Sequence, residues 1–345
     1  LSTSLSDMRV DSNREISATV GSINTYSSQI ATLSGNIAAA EASTGQPAND
    51  LRDQRDLLVA NLNELINVTT FEQTDGTFNV YIGSGQPLVV GASVTPMTVV
   101  SDPNSPEFSV PALSLAGGVT QTLDSSLVSG GSLGGLMAVR EEILQPAIQA
   151  LDLMALAFAT EFNALHEAGF DLNGTAGIAF FTDSATLSQN LQPAAQTGNT
   201  GSLTFSATLD DVTQLQASDY QLSFDGVNYT LTRLSDGVSA SDPSLAAVTT
   251  LGGVAQGFTL TAAAGVPDAG DSWIIRPSHG AAGLITLNAA MTDPDQIAAS
   301  SSNAGSPGNN ENALLLTDLQ TSATAIGGNQ SFSSAYAQLV ARTAT

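Results

Sequence analysis

The sequence predicts an α+β protein: an elongated helical bundle built from both ends of the chain, with a small β-hairpin region and an inserted antiparallel β domain. Three observations support this fold class. Apolar residues recur at helical spacings near the N-terminus, and a similar stripe recurs near the C-terminus. Between the last two predicted helices, alternating apolar and polar residues replace the helical pattern. Because both ends carry similar stripes, we expect them to pack together.

Two helices are predicted at the N-terminal end. The first runs over about residues 6–42, and the Ser, Thr, Gly and Pro residues of 43–47 end it. Asn49 or Asp50 is expected to cap a second helix, so that the two form a helical hairpin. The apolar stripes are Ile16, Val20, Ile23, Ile30 and Ile37 on the first helix and Leu51, Leu58, Leu62 and Leu65 on the second.

Strands are predicted next, in a region of about residues 71–130. Residues 77–82 alternate in polarity, and residues 87–90 follow a Gly-Ser-Gly sequence, so these two segments form a β-hairpin. Residues 91–131 are rich in Val, Ser, Pro and Gly. We expect short strands and loops there, lying on the helices.

A third long helix is predicted after the Gly-rich residues 130–135, which form a flexible entry to it. Pro146 is expected to kink this helix, because its ring removes one backbone donor and clashes with the preceding turn. The apolar periodicity continues beyond the kink. Its members are Leu136, Val139, Ile143, Ala147, Leu151, Met154, Phe158, Phe162 and Leu165.

Acidic residue usage changes after Glu167. Residues 168–310 contain twelve Asp, two Arg and no Glu. Glu favours helices, whereas Asp favours turns and caps, so the change predicts a domain boundary. The predicted parts are a helical rod domain over residues 1–167, an inserted β domain over 168–305, and a closing helix of the rod over 306–345.

The inserted domain contains a strong hairpin pattern. Residues 220–224 and 229–233 alternate in polarity on either side of an Asp-Gly pair, and residues 257–261 and 271–275 are further strand candidates. Asn309 or Asn310 is then expected to cap the closing helix. The apolar stripe of that helix consists of Leu314, Leu319, Ile326, Leu339 and Val340.

Composition excludes several classes of function. The 345 residues have a net charge of −24, and all 8 basic residues are Arg. Nucleic acid and anionic membrane surfaces would be repelled, so neither is expected as a partner. There is no Cys, and no apolar run approaches the roughly 20 residues of a membrane span. The acidity suits a secreted or halotolerant protein.

The sequence offers weak candidates for catalysis or metal binding. The two His, His166 and His279, lack a second ligand at suitable spacing, and a structural or solvent-facing role is favoured. Residues 171–175 resemble the start of a calcium loop, but the closing Glu is missing and the Gly comes too early, so an Asx-stabilised turn is favoured. We therefore predict no catalytic residue, cofactor or metal.

The candidate partner-binding residues are Arg52, Asp53, Arg55 and Asp56 on the second helix. Mixed-sign charges suit reversible docking of like subunits. The alternative is that the cluster is merely solvated, since exposed ion pairs contribute little. The apolar helix stripes also allow two interpretations, an intramolecular core or, in part, contacts with neighbouring subunits.

Sequence motifs along nearly the whole chain resemble those of the bacterial flagellar hook-associated protein family, in the family's order. The matching segments are 49–56 (NDLRDQRD), 79–91 (NVYIGSGQPLVVG), 131–136 (GSLGGL), 161–166 (EFNALH), 169–174 (GFDLNG), 270–277 (GDSWIIRP) and 312–314 (NAL). Residues 168–305 match least well.

The resemblance implies a non-enzymatic adaptor of the extracellular flagellum that joins hook to filament by subunit stacking. It implies the hook protein and the second junction protein as partners, self-association of the full-length protein, and type III export. The family's terminal segments do not appear, so the chain is interpreted as a core fragment and expected to be monomeric.

Other classes of function remain open from sequence alone. The runner-up is another flagellar axial protein, either a flagellin or the second junction protein, which would carry different motifs over residues 49–91. An acidic surface adhesin should show tandem calcium repeats, which are not visible. An enzyme is the weakest candidate, and a hydrolase screen would test it.

Overall fold

A computed structural model describes residues 1–73, 77–303, 308–323, 326 and 330–343. The chain forms two compact units. The first unit is Ser4–Leu144, and the second unit comprises Leu1–Thr3 and Gln145–Thr345. The predicted boundary at residue 167 therefore falls inside the second unit. The predicted division into rod, insertion and closing helix stays a prediction.

Two helices open the chain, α1 (Ser2–Thr44) and α2 (Asn49–Leu65). The predicted stripe of α1, from Ile16 to Ile37, is confirmed, because all five residues are buried. The predicted cap of α2 is wrong. Ala48 holds the N-cap position and makes no side-chain cap. The N–H of the third helical residue, Leu51, donates instead to the Ala48 carbonyl, and the Ala48 N–H donates to Glu41 Oε1 at 2.9 Å.

Two antiparallel sheets complete the first unit. β1 (Val68–Glu72), β2 (Phe78–Ile82), β3 (Gln86–Val90) and β4 (Ser93–Val94) pair in chain order. The β2–β3 hairpin was predicted and is confirmed. The second sheet consists of β5 (Met97–Ser101), β6 (Ser109–Ser114) and β7 (Thr120–Thr122). The inward residues of both sheets share one hydrophobic core with α1 and α2, including Ile23, Leu62, Val80, Leu88 and Leu113.

The third helix begins earlier than predicted, because α3 spans Gly131–Val139. The glycines are thus its first turns rather than a flexible entry. Gly131 has φ +64°, and a Cβ there would lie 2.5 Å from the Leu65 carbonyl carbon, so α3 approaches the end of α2 where a larger residue would clash. A π-turn follows at Arg140–Leu144 and then α4 at Gln145–Ala168. Pro146 lies two residues after the end of this π-turn, and the kink predicted there stays a prediction.

The predicted apolar stripe of this helix lies beside its buried face. Among its nine residues only Ala147 is fully buried, and Val139 is 48% exposed. Other members of the stripe are partly buried against the hydrophobic cores, namely Leu136, Met154, Phe158, Phe162 and Leu165. The fully buried apolar residues are Leu133, Met137, Leu144, Ala147, Leu153, Leu156, Ala157 and Ala159. Met137 is buried next to Leu136 before the π-turn, and Ala159 is buried next to Phe158 after it, so the π-turn is not the cause of this offset.

Three antiparallel sheets lie in the described part of the second unit. In the five-stranded sheet the order is β12-β11-β10-β16-β8, with the strands β8 (Ala194–Ala195), β10 (Tyr220–Phe224), β11 (Tyr229–Arg233), β12 (Ser239–Asp242) and β16 (Ser272–Ile275). β9 (Thr204–Leu209) pairs with β15 (Phe258–Ala264), and β13 (Thr250–Leu251) pairs with β14 (Val254–Ala255). The predicted hairpin of β10 and β11 is confirmed.

Helix α4 joins these sheets in one core. Leu153 and Leu156 lie in the same buried cluster as Leu222, Leu231 and Trp273. Short helices α5 (Ser184–Leu187) and α6 (Ala281–Leu284) lie beside α4. This shared core explains why the compact unit begins at residue 145 rather than at 168.

The predicted single closing helix is two helices, α7 (Glu311–Asp318) and α8 (Phe332–Thr343), and both pack on α4. Leu319, Ile326 and Leu339 are buried as predicted, but Leu314 is 54% exposed and Val340 44% exposed. The break between the helices changes which residues face α4. Asn309 Oδ1 accepts the Glu311 N–H, whereas Asn310, at the N-cap position, makes no side-chain cap.

The continuous helix from Gly131 to Ala168 is long and apolar enough to cross a membrane by length and composition alone. Core helices meet the same criterion, and many of its residues are buried in the hydrophobic clusters of the two units. Among the described residues it is the one helix that does so.

Candidate functional site

The four predicted partner-binding residues lie within little more than one turn of α2, but their environments differ. Arg52 is half-buried and Arg55 is buried, whereas Asp53 and Asp56 are exposed. Residues three and four apart share a helix face, so Arg52, Arg55 and Asp56 lie side by side. The two cations point toward the rest of the first unit, where they meet carboxylates from α1 and β1.

Arg52 joins three elements. Its Nε donates to Glu41 Oε1 at 2.7 Å and its Nη2 to Glu41 Oε2 at 2.9 Å, while Nη1 lies 3.0 Å from Glu72 Oε1. Glu41 accepts hydrogen bonds from Arg52 and from the Ala48 N–H. These bonds, with that from Arg52 first, lower the pKa of Glu41 to about 2. Glu41 in turn raises the pKa of Arg52. The end of α1, the start of α2 and the end of β1 are thereby tied together.

Arg55 is held mainly by packing. Its guanidinium carbon lies 4.0 Å from the centroid of the Phe78 ring, a cation–π arrangement that is strengthened by burial. Nε and Nη2 both donate to Asp56 Oδ1, at 3.2 and 3.1 Å, and Glu72 Oε2 is 3.9 Å away. Nη1 has no hydrogen-bond partner in the described part of the chain.

The outward side of α2 therefore carries acidic groups and one apolar group. Asp53 is exposed, the Asp56 side chain is 63% exposed, and Leu57 is also 63% exposed. We call Asp53, Asp56 and Leu57 the acidic face. Arg52 is engaged by the internal carboxylates Glu41 and Glu72, whereas Arg55 donates to Asp56 and partly balances its charge. The exposed groups of this face are nevertheless acidic, because both arginines point inward.

A second buried arginine was not singled out from the sequence. Arg140 donates from Nη1 to the Ser109 carbonyl at 2.9 Å and from Nη2 to Asp102 Oδ2 at 2.8 Å. Its guanidinium carbon lies 5.5 Å from the Phe108 ring centroid. From the sequence, an ion pair between Arg140 and the adjacent Glu141 could be expected. Nothing in the sequence points to Asp102 as the partner of Arg140.

The two histidines bond to different neighbours. His166 is buried, with Nδ1 2.6 Å from the Ile178 carbonyl oxygen and Nε2 accepting the Ala298 N–H at 2.9 Å. His279 Nδ1 is 2.8 Å from Arg276 Nη2. In the described residues, no group of three or more His, Cys, Asp or Glu side chains is placed to hold a metal ion.

The segment that resembles a calcium loop is an Asx-stabilised turn, as predicted. Asp171 Oδ1 accepts the N–H groups of Asn173 and Thr175, both at 2.8 Å. Gly174 has φ +75°, which glycine adopts without steric cost. The carboxylate thus satisfies backbone donors within its own turn.

Long helices combined with antiparallel sheets, and tied by ion pairs between elements, define a structural assembly module. Comparisons with known proteins agree. The description "Flagellar hook-associated protein FlgK helical domain" matches residues 1–181, and "Flagellar hook-associated protein 1, D2-like domain" matches residues 194–277.

Relatives extend the match over the rest of the chain. Flagellar hook-associated protein 1 of Escherichia coli (strain K12) is 33% identical over 97% of this chain and 60% of its own length. The Salmonella typhimurium protein of that name is 32% identical over the same shares. The flagellar hook junction protein FlgK from Burkholderia pseudomallei is 36% identical, with a TM-score of 0.74 over 87% of this chain and 52% of that one.

The chain belongs to the FlgK family of flagellar hook-associated proteins. It is therefore a component of the extracellular bacterial flagellum. It spans about 60% of the length of the curated relatives named above.

Proposed function

We propose that this chain is part of a structural adaptor that joins the flagellar hook to the filament by subunit stacking, without catalysis. Family membership over nearly the whole chain is the observation that carries the proposal. The long helices of the first unit supply rigid elements for stacking. Deleting the gene should leave hooks without attached filaments, and the gene encoding the whole protein should restore attachment. Filament attachment in the deletion strain would contradict the proposal.

The proposed partners are the hook protein, the second junction protein and, in the whole protein, further copies of itself. For the 345-residue chain alone we propose a monomer, because the predicted helical stripes are satisfied mainly within its own units and its net charge of −24 opposes self-association. Light scattering at micromolar concentration tests this. A stable dimer, ring or fibre would contradict it.

The acidic face is our proposed contact with a partner subunit. Asp53 and Asp56 are the cluster's exposed charges, and Leu57 adds apolar area beside them. Arg52 and Arg55 act as positioning residues, because they fix α2 against Glu41, Glu72 and Phe78. Complementary charge on a partner would speed and orient docking. The proposal therefore favours a partner surface with basic side chains over a second copy of this face.

A charge-reversal experiment tests the acidic face in the whole protein. Asp53→Arg should reduce filament attachment to hooks, while circular dichroism of the purified protein stays unchanged. Asp56 is kept, because it is the hydrogen-bond partner of buried Arg55. Asp210→Arg, at an exposed position of the second unit, is the matched control and should attach filaments normally. Normal attachment by Asp53→Arg would remove the acidic face from the proposal and leave the adaptor function standing.

A further inference from the structure

The helix from Gly131 to Ala168 has two buried series that are out of phase with each other. Up to the end of the π-turn the buried residues are Leu133, Met137, Arg140 and Leu144, and after it they are Ala147, Asp152, Leu153, Leu156, Ala157, Ala159, Asn163 and His166. From Leu133 to Ala147 the spacing is three or four. The step from Ala147 to Asp152 is five residues, one more than that spacing allows.

Pro146 weakens the backbone hydrogen bonding at this point. It follows the π-turn at the second position of α4 and has no N–H to donate to a carbonyl in the preceding turn. The helix is thus continuous here with one bond fewer than its neighbouring turns. The boundary between the two compact units also falls here, between Leu144 and Gln145.

Arg140, the first residue of the π-turn, is anchored outside the helix. Its side chain is 4% exposed and is held by Asp102, by the Ser109 carbonyl and over Phe108. Glu141 Oε1 is a further contact of Nη2, at 3.4 Å. Arg140 and Asp102 also line a cavity of about 500 Å³, which leaves space beside the ion pair. The anchoring contacts come from the β5–β6 hairpin, so they hold the π-turn from one side.

We propose that the π-turn Arg140–Leu144 is a hinge in this helix and that Arg140 is its latch. With the Arg140–Asp102 pair formed, the turn keeps its present hydrogen bonding. When the pair opens toward the cavity, the turn opens locally, while the helical segments on both sides stay folded in their hydrophobic cores. π-turns occur frequently at functional sites, and local opening is expected where a helix has the fewest backbone bonds.

Hydrogen exchange measured by mass spectrometry on the 345-residue chain tests the hinge. The amides of residues 147–150 should exchange at least about ten-fold faster than those of 156–159. Asp102→Asn removes the charge from the latch with little change in shape and should accelerate exchange at 141–150 about ten-fold. Pro146→Ala restores a donor and should slow exchange at 147–150.

Asp236→Asn is the matched control, because it weakens an ion pair of similar length to Arg233 in the second unit and should leave exchange at 141–150 unchanged. Circular dichroism identifies any variant that unfolds globally. If Asp102→Asn unfolds, Pro146→Ala alone tests the hinge, because this substitution adds a backbone hydrogen bond. The hinge is contradicted if residues 147–150 exchange as slowly as 156–159, or if neither Asp102→Asn nor Pro146→Ala changes their exchange.

Discussion

The two compact units use different chemistry to attach their helices to neighbouring segments. In the first unit, ion pairs make several of these attachments, with Arg52 bound to Glu41 and Glu72, and Arg140 bound to Asp102. In the second unit, hydrogen bonds between side chains and backbone groups attach α4 to the loops around it. The Asp152 carboxylate accepts the N–H groups of Gly280 and Ala282. Asn163 and His166 bond backbone groups, and Asn312 of α7 donates to the carbonyls of Leu165 and Ala298.

The two kinds of attachment respond differently to pH, to salt and to truncation of a side chain. Ion pairs weaken when a carboxylate is protonated, and those near the surface weaken in salt. A buried amide that satisfies backbone groups is indifferent to salt, but its removal leaves buried donors without partners. Acid and salt should therefore weaken the ion pairs of the first unit, whereas truncation of Asn163, a buried amide of the second unit, should be costly at any salt concentration.

The largest effect is expected from the core of the second unit. Leu156 is fully buried, whereas Leu151 is half-buried beside a groove. Leu156→Ala should lower the free energy of unfolding by about 2–5 kcal/mol because it leaves a cavity, and Leu151→Ala should cost clearly less. Urea unfolding followed by circular dichroism measures both. Equal losses in the two variants would show that half-buried Leu151 contributes as much to the free energy of unfolding as fully buried Leu156.

The next effect tests the neutral attachments. Asn163 Oδ1 accepts the N–H groups of Phe180 and Phe181 at 2.9 and 2.8 Å. Asn163→Ala should cost about 2–4 kcal/mol, since both donors lose their partner in a buried setting. The loss should be the same in low and high salt. A loss that shrinks with added salt would contradict the assignment of a neutral network to this unit.

A smaller effect is expected at the charged attachments. Arg55→Ala should lower the free energy of unfolding by about 2 kcal/mol, because it removes the cation–π contact and the packing of the buried side chain on Phe78. Arg52→Ala should cost about 1 kcal/mol or less, since its side chain is partly solvated. Denaturation monitored by near-ultraviolet circular dichroism compares the two, and a larger loss at Arg52 would reverse their order of importance.

The sequence predicts elements better than it predicts phase. The stripe of α1 and the β10–β11 hairpin follow from local periodicity, because each is buried on one face within a single regular element. The buried face of α4 does not follow, because it includes the polar residues Asp152, Asn163 and His166, whose hydrogen-bond partners come from distant segments. The break between α7 and α8 changes which predicted apolar residues are buried.

The charge cluster shows the same limit at the candidate site. The sequence places Arg52, Asp53, Arg55 and Asp56 together, but their roles depend on Glu41 and Glu72, which come from other elements. Helical periodicity cannot show that Arg55 is buried on an aromatic ring from β2. Arg140 is missed for the same reason, because its partner is 38 positions away.

The smallest effect concerns acid. Arg52 and the Ala48 N–H hold the pKa of Glu41 at about 2, below the ordinary value of 4.5. Because the folded-state pKa is the lower one, the stabilisation is present in full above about pH 4.5 and is lost as pH falls toward about 2. Glu41→Gln should remove this part of the acid dependence of the melting temperature while leaving the rest. Arg52→Ala, which removes the hydrogen bond that lowers this pKa, should remove the same part of the acid dependence. An acid dependence left unchanged in both variants would show that Glu41 has no special role in the first unit.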